Sequence, residues 1–143
     1  MGKTRAVAEI KLFKNARESI DVQPGDVLFR EGDAGDLMYA LVEGEIELLR
    51  DDSVLEDVGP GSIFGEMALI DPSPRSATAK ARTAARVVPV DRAHFTYLVQ
   101  EHPTFALQVM AVMAERLRRA NEFVGHSVPG GGTHWSENDG ASG

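Results

Sequence analysis

Ile63-Phe64-Gly65-Glu66-Met67-Ala68-Leu69-Ile70-Asp71-Pro72-Ser73-Pro74-Arg75-Ser76-Ala77-Thr78 is the stretch on which the fold reading turns. It sets a glycine and an acid between large apolar residues. A proline-punctuated loop follows, and then an arginine leads a small, hydroxyl-rich run. Backbone amides freed by a short helical turn, together with an arginine fork, are what an anion requires. A carboxylate across from them suits a sugar hydroxyl. The segment reads as a wrap for a nucleotide phosphate and its ribose.

Upstream of it the chain is a series of short strands. Ile20-Asp21-Val22 alternates, Gln23-Pro24-Gly25-Asp26 is a turn, and Val27-Leu28-Phe29-Arg30 is a short strand. Glu31-Gly32-Asp33-Ala34-Gly35-Asp36 is turn chemistry again. Leu37 to Val42 and Gly44 to Leu49 read as two strands joined near Glu43-Gly44, with Ile46 and Leu48 alternating against Glu45 and Glu47. Asp51-Asp52 breaks the run before Val54 to Val58, and Gly59-Pro60-Gly61 turns the chain into the opening stretch. Glu45, Glu47, Asp51 and Asp52 read as a solvated strand face and turn. Residues 3–19 look different: Val7, Ile10 and Phe13 recur every third position, which predicts one or two helical turns.

Downstream, Arg75 to Arg82 and Ala85 to Val90 supply two more strands, and then the period changes from two to 3.6. Asp91 is placed to N-cap a helix over Arg92 to Gln100, with Phe95, Leu98 and Val99 on one face. Pro103 opens a second helix running to about Val124, on which Ala106, Val109, Met110, Met113, Leu117, Ala120 and Val124 form a stripe. From Gly125 the composition collapses to Gly, Ser, Pro, His and Asn, which predicts a disordered tail over 125–143. The predicted organisation is a helical segment over 1–19, a barrel over 20–91 containing the wrap at 63–78, C-terminal helices over 92–124, and the tail. Seven or eight short strands with turn signals about every ten residues point to a β-sandwich or barrel, not to alternating β-α-β units.

Composition bounds the function. A chain of 143 residues is one domain, large enough to bury a core without disulfides or metal. It has no cysteine, so neither a thiol nucleophile nor a thiolate metal site is available. Net charge is −7, with 22 acids against 15 bases, which argues against a dedicated nucleic-acid surface. No long apolar run follows Met1 to Arg5, and none approaches the ~18 residues of a membrane span, so a soluble, cytoplasmic protein is expected. His94, His102, His126 and His134 lack the paired spacing of a metal site, and none lies on a predicted strand. No metal and no cofactor are expected.

Phe64-Gly65-Glu66-Met67-Ala68-Leu69, followed by Pro74-Arg75-Ser76-Ala77-Thr78, resembles the phosphate-binding cassette of cyclic-nucleotide-binding domains. Such modules occur in the catabolite activator protein, kinase regulatory subunits and cyclic-nucleotide-gated channels. Gly25 to Asp33, Met38-Tyr39 and Gly44-Glu45-Ile46 are similar to the same family's barrel pattern, so the resemblance runs from about Leu12 to Val124. It implies a mainly β fold, a double-stranded β-helix (jelly-roll) barrel followed by two C-terminal helices. Carried over, it implies ligand contacts at Phe64, Gly65, Glu66, Met67, Ala68, Arg75, Ser76 and Ala77. Arg75 would pair with the cyclic phosphate and Glu66 would accept the ribose 2′-hydroxyl. Gly65, Ala68 and Ser76 would bring backbone amides. Arg116, Leu117 and Arg119 are the candidates to cap the base.

Plainer readings stand beside these. Glu66 and Arg75 also suit a structural ion pair closing a turn, and a strand serine such as Ser76 often bonds a neighbouring backbone. Met110, Met113 and Leu117 read first as core, and Arg116, Arg118 and Arg119 as a solvated helix end. The resemblance implies a non-catalytic sensor for a cyclic purine nucleotide whose terminal helices shift on binding. In eukaryotic members a threonine directly after the cassette arginine accompanies cGMP preference, so Ser76 favours cAMP. No winged or helix-turn-helix pattern is read after the helices, so output through an unidentified protein effector is expected, with a homodimer through the C-terminal helix left open. The alternatives are a ligand-free interaction scaffold on the same fold, or the sensor fragment of a larger regulator or channel.

Overall fold

Turn residues cut the first ninety positions into segments too short to bury both faces alone, and two stacked sheets are the way such segments share one core. The structure, a computed structural model, describes residues 3–4, 10, 12–13, 16–71 and 73–127. In order these form β1 (Lys3–Thr4), β2 (Ile20–Val22), β3 (Val27–Phe29), β4 (Met38–Glu43), β5 (Ile46–Arg50), β6 (Ser53–Val58) and β7 (Ile63–Phe64). Then come α1 (Met67–Ile70), β8 (Thr78–Ala81), β9 (Ala85–Val90), α2 (Arg92–Glu101) and α3 (Thr104–Ser127).

One sheet has the order β1-β6-β5-β8-β3 and the other β2-β9-β4-β7. All pairings are antiparallel except β1 with β6. From β6 onward the chain changes sheet at each successive strand, the winding of a jelly roll. The inward faces meet in a core of Tyr39, Leu41, Ile46, Val58, Phe64, Ala79, Ala81 and Val87. The predicted β2 and β9 match the observed ones at both ends. The Asp51-Asp52 break is a two-residue hairpin between Arg50 and Ser53. Both aspartates have positive φ, 52° and 67°, the geometry a type I′ turn needs and that short polar side chains tolerate.

Several expectations are corrected. Lys3 and Thr4 form a strand beside Asp57 and Val58, not a helical turn, because an open edge of β6 is there to be paired. β8 begins at Thr78, not Arg75, because the Arg75 backbone bonds to a turn in place of a ladder: its N–H donates to Asp33 O (2.8 Å) and its carbonyl accepts from Gly32 N (2.8 Å). α3 continues to Ser127, three residues past Val124. The tail from 128 onward lies outside the described residues, as do residues 5–9, 11 and 14–15 of the N-terminal segment. Glu45 is not simply solvated, since it lies 3.7 Å from Arg82 in an ion pair.

The chain divides into two compact units, Met1–Val112 and Met113–Gly143. In the first, Asp91 caps α2 as expected, its side chain accepting from His94 N at 2.8 Å. The start of α3 packs through Phe105, Val109 and Val112. The Phe105 ring stands 5.7 Å from Phe13 and 5.5 Å from Phe95. Met110, expected in the core, is 58 % exposed. Phe105 is the largest apolar residue of the helix start, and burying it turns the helix so that Met110 faces outward. In the second unit, Leu117 is likewise exposed.

Candidate functional site

Buried positions recur at 75, 77, 79 and 81, so the period-two register of β8 extends back to an arginine pointing inward. Arg75 is only 9 % exposed. Nη2 donates to Leu37 O at 2.8 Å, Nη1 donates to Gly65 O at 3.1 Å, and Cζ lies 3.9 Å from the centre of the Phe29 ring. Beneath it, Phe29, Tyr39 and Phe64 pack as three rings with centres 5.4 to 6.2 Å apart. Register places two of them, since Tyr39 of β4 is directly opposite Phe64 of β7.

Burial pushes the Arg75 pKa down, while Tyr39, Asp36, Asp33 and Glu66 act in the other direction. A guanidinium stays charged against such a shift. Burial likewise pushes the Tyr39 hydroxyl up, with Arg75 opposing and Asp36 reinforcing. One buried donor is left over: among the described residues Arg75 Nε–H finds no hydrogen-bond acceptor. Leaving a buried donor unmade costs about 1–3 kcal/mol, more when it is charged.

Gly65 faces the arginine. Its φ is +74°, where an L side chain is strained, and a Cβ there would stand 2.8 Å from Arg75 Nη1. The conformation therefore requires glycine, and a Cβ would in addition push the guanidinium aside. The Gly65 carbonyl also accepts from Ala68 N at 3.3 Å, and Glu66 O accepts from Leu69 N at 3.1 Å, which starts α1. Glu66 precedes that helix and is 7 % exposed, but its side chain makes no capping bond to it.

The structure thus gathers Phe64, Gly65 and Glu66 around one guanidinium, that of Arg75. Phe64 serves as packing, its ring wholly buried. The Ala68 amide is engaged by Gly65. Met67 is exposed, Ala77 is buried, and Ser76 is exposed with its carbonyl accepting from Arg50 Nε at 3.1 Å. In the second unit, Arg119 and Arg118 pair with Glu115, and Leu117 is exposed beside half-buried Arg116. Hydrogen bonding from Arg118 holds the Glu115 carboxyl below its ordinary pKa, despite some opposing desolvation, with Arg119 adding to the effect.

Sequence reasoning missed what fixes the arginine: Gly35, the Leu37 carbonyl, Phe29 and Tyr39. The signal available was the acid-flanked, double-glycine turn Gly32-Asp33-Ala34-Gly35-Asp36, whose charge complements an arginine. Among the described residues no cluster of His, Asp or Glu is arranged to hold a metal ion. The guanidinium is thus held by two carbonyls and a ring face, and one of its buried N–H groups is left over.

Comparison with known proteins bears on the family. The family model described as cyclic nucleotide-binding domain matches residues 19–102, a shorter span than the resemblance covers, ending before α3. A CRP-like cAMP-activated global transcriptional regulator of Mycobacterium tuberculosis is 31% identical over 122 residues, covering 79% of this chain and 54% of its own. The chain spans about half the length of that curated relative. Among solved structures, the catabolite activator protein of Thermus thermophilus is similar with TM-score 0.65 and 30% identity, over 74% of this chain and 52% of that one. An EAL enzyme in its cGMP-bound form is similar with TM-score 0.55 and 35% identity, over 73% of this chain and 29% of that one. The same enzyme is also known in a cAMP-bound form.

Proposed function

Because the chain belongs to the cyclic nucleotide-binding domain family, we propose that it is a non-catalytic sensor module that binds a cyclic purine nucleotide through its 63–78 cassette. Arg75 takes the cyclic phosphate, Glu66 accepts the ribose 2′-hydroxyl, and Gly65 lets the backbone approach. The observation that carries this reading is the buried Arg75 Nε–H without an acceptor, in a guanidinium otherwise fixed by Leu37 and Gly65.

cAMP is preferred to cGMP, on the strength of Ser76 directly after the arginine. A similar EAL enzyme that accepts both ligands makes that preference one of degree. Ligand works by population shift: it must favour one arrangement of the terminal helices over another to pass on a signal. The receiver is a protein effector, whether separate or joined to the same chain in a longer protein.

Calorimetric titration with cAMP and cGMP, repeated on Arg75→Ala, tests the binding. The wild type binds, cAMP more tightly, and the variant loses most of its affinity. A wild type silent to both nucleotides would leave only the scaffold reading. Amide exchange along α3 tests the helix shift, with slower exchange expected when ligand is bound.

A further inference from the structure

Gly35 lies in the turn between β3 and β4, forty residues from the arginine in sequence. A Cβ on Gly35 would stand 2.3 Å from Arg75 Nε, 2.5 Å from Cζ and 2.7 Å from Nη2. No other residue type fits beside the guanidinium where it now sits. Gly35 is also not among the glycines with positive φ, so the backbone there does not itself require glycine. The three atoms nearest to such a Cβ all belong to the arginine, so it is the arginine that demands glycine at 35.

We propose that Gly35 is a positioning residue for the anion site: it sets where the Arg75 fork stands, and so whether the fork meets a phosphate. This rests on reading the cassette as the phosphate site. The turn holds the arginine at three further points. Asp33 O accepts from Arg75 N at 2.8 Å, Gly32 N donates to Arg75 O at 2.8 Å, and Leu37 O accepts from Nη2 at 2.8 Å. Asp33 and Asp36 of the same turn supply negative charge. The segment 32–37 is therefore a cradle for the arginine, and Gly35 is the point at which the cradle touches Nε, the donor without an acceptor.

The consequence separates affinity from stability. In Gly35→Ala the atoms that must yield are the far end of a flexible side chain, so the fold survives while the guanidinium is displaced. Loss of one charge-assisted bond to the phosphate, or its misplacement by about 1 Å, corresponds to a roughly 10- to 100-fold loss of cAMP affinity.

The test is a double-mutant cycle of wild type, Gly35→Ala, Arg75→Ala and the double variant. NMR titration with cAMP gives affinity even for weak binders, and thermal unfolding gives stability. Gly35→Ala weakens binding as above with little change in unfolding midpoint. In the Arg75→Ala background the same change alters affinity by less than about twofold, because two residues that act through one contact do not add. In unliganded Gly35→Ala the Arg75 Nε–H resonance moves. Equal losses in both backgrounds, or undiminished affinity in Gly35→Ala, overturn the inference and leave the sensor reading intact. A wild type that binds no nucleotide overturns the sensor reading instead, and the resonance then decides alone: if it does not move, Gly35 does not position the arginine.

Discussion

Arg75→Lys separates the two things an arginine brings to this site, its charge and its fork. The guanidinium reaches Leu37 O at 2.8 Å and Gly65 O at 3.1 Å from two different nitrogens, over a ring 3.9 Å away. A lysine keeps the charge but concentrates its donors at one point, so it cannot bridge both carbonyls and still face a phosphate. Giving up one charge-assisted bond to the anion costs about 1.5–3 kcal/mol, or roughly 10- to 150-fold in affinity. Stability changes far less. The lost carbonyl contact is offset because the buried Nε–H without an acceptor disappears too, and that donor costs about 1–3 kcal/mol. A pH signature follows. Burial pushes the Arg75 pKa down, yet a guanidinium remains protonated, so this residue leaves wild-type affinity flat between about pH 6 and 9. The same burial acts on an ammonium whose ordinary pKa is only about 10.4, so the variant loses its proton first and its affinity falls as pH rises. Calorimetry with cAMP across that range measures both effects. Arg75→Lys binding within about threefold of wild type at every pH, less than one such bond is worth, would show that the fork is not what holds the anion.

Three further substitutions test the site and the fold around it. Gly65→Ala forces an L residue to φ +74° and sets a Cβ 2.8 Å from Arg75 Nη1; urea unfolding should show a loss of about 1–2 kcal/mol, and cAMP affinity should fall with it. Gly44→Ala meets backbone instead, 2.3 Å from Ala84 O and 2.7 Å from Ala85 Cα at φ +89°. No rotamer relieves that, so a stability loss of about 3 kcal/mol or more is expected from the strained φ plus the clash, and a melting temperature within a degree of wild type would contradict it. Asp91→Ala removes the bond from His94 N to the α2 cap; thermal unfolding should register about 1 kcal/mol, with cAMP affinity unchanged.

The parts of the molecule legible in its sequence are those where one residue's chemistry acts through its own side chain. The ends of β2 and β9 were legible because local turn and cap residues bound them, Gln23 to Asp26 after the first and Asp91 after the second. Asp91 was legible because a cap acts on its own first turn. The start of β8 was not, because Arg75 takes its backbone partners from Gly32 and Asp33 and no local pattern records such a pairing. The buried face of α3 failed for a related reason. Its apolar residues are numerous enough to allow more than one face, and the choice fell to Phe105, whose ring partners are Phe13 and Phe95 on other segments.

The same division runs through the candidate site. Glu66 and Arg75 announce themselves, the first as a carboxylate between large apolar residues and the second as a guanidinium that opens a small, hydroxyl-rich run. What holds Arg75 in place has no such signature: Leu37 contributes a carbonyl that every residue possesses, and Gly35 contributes a missing carbon. A buried arginine with an unspent donor is tolerable only if its position is imposed from outside, by groups that do not themselves compete for the anion. Backbone carbonyls, a ring face and a bare Cα meet that condition, whereas a carboxylate bonded to Nε would occupy the donor a phosphate needs. The supporting shell is hard to read in the sequence for the same reason that it suits the site: it fixes the arginine without consuming it.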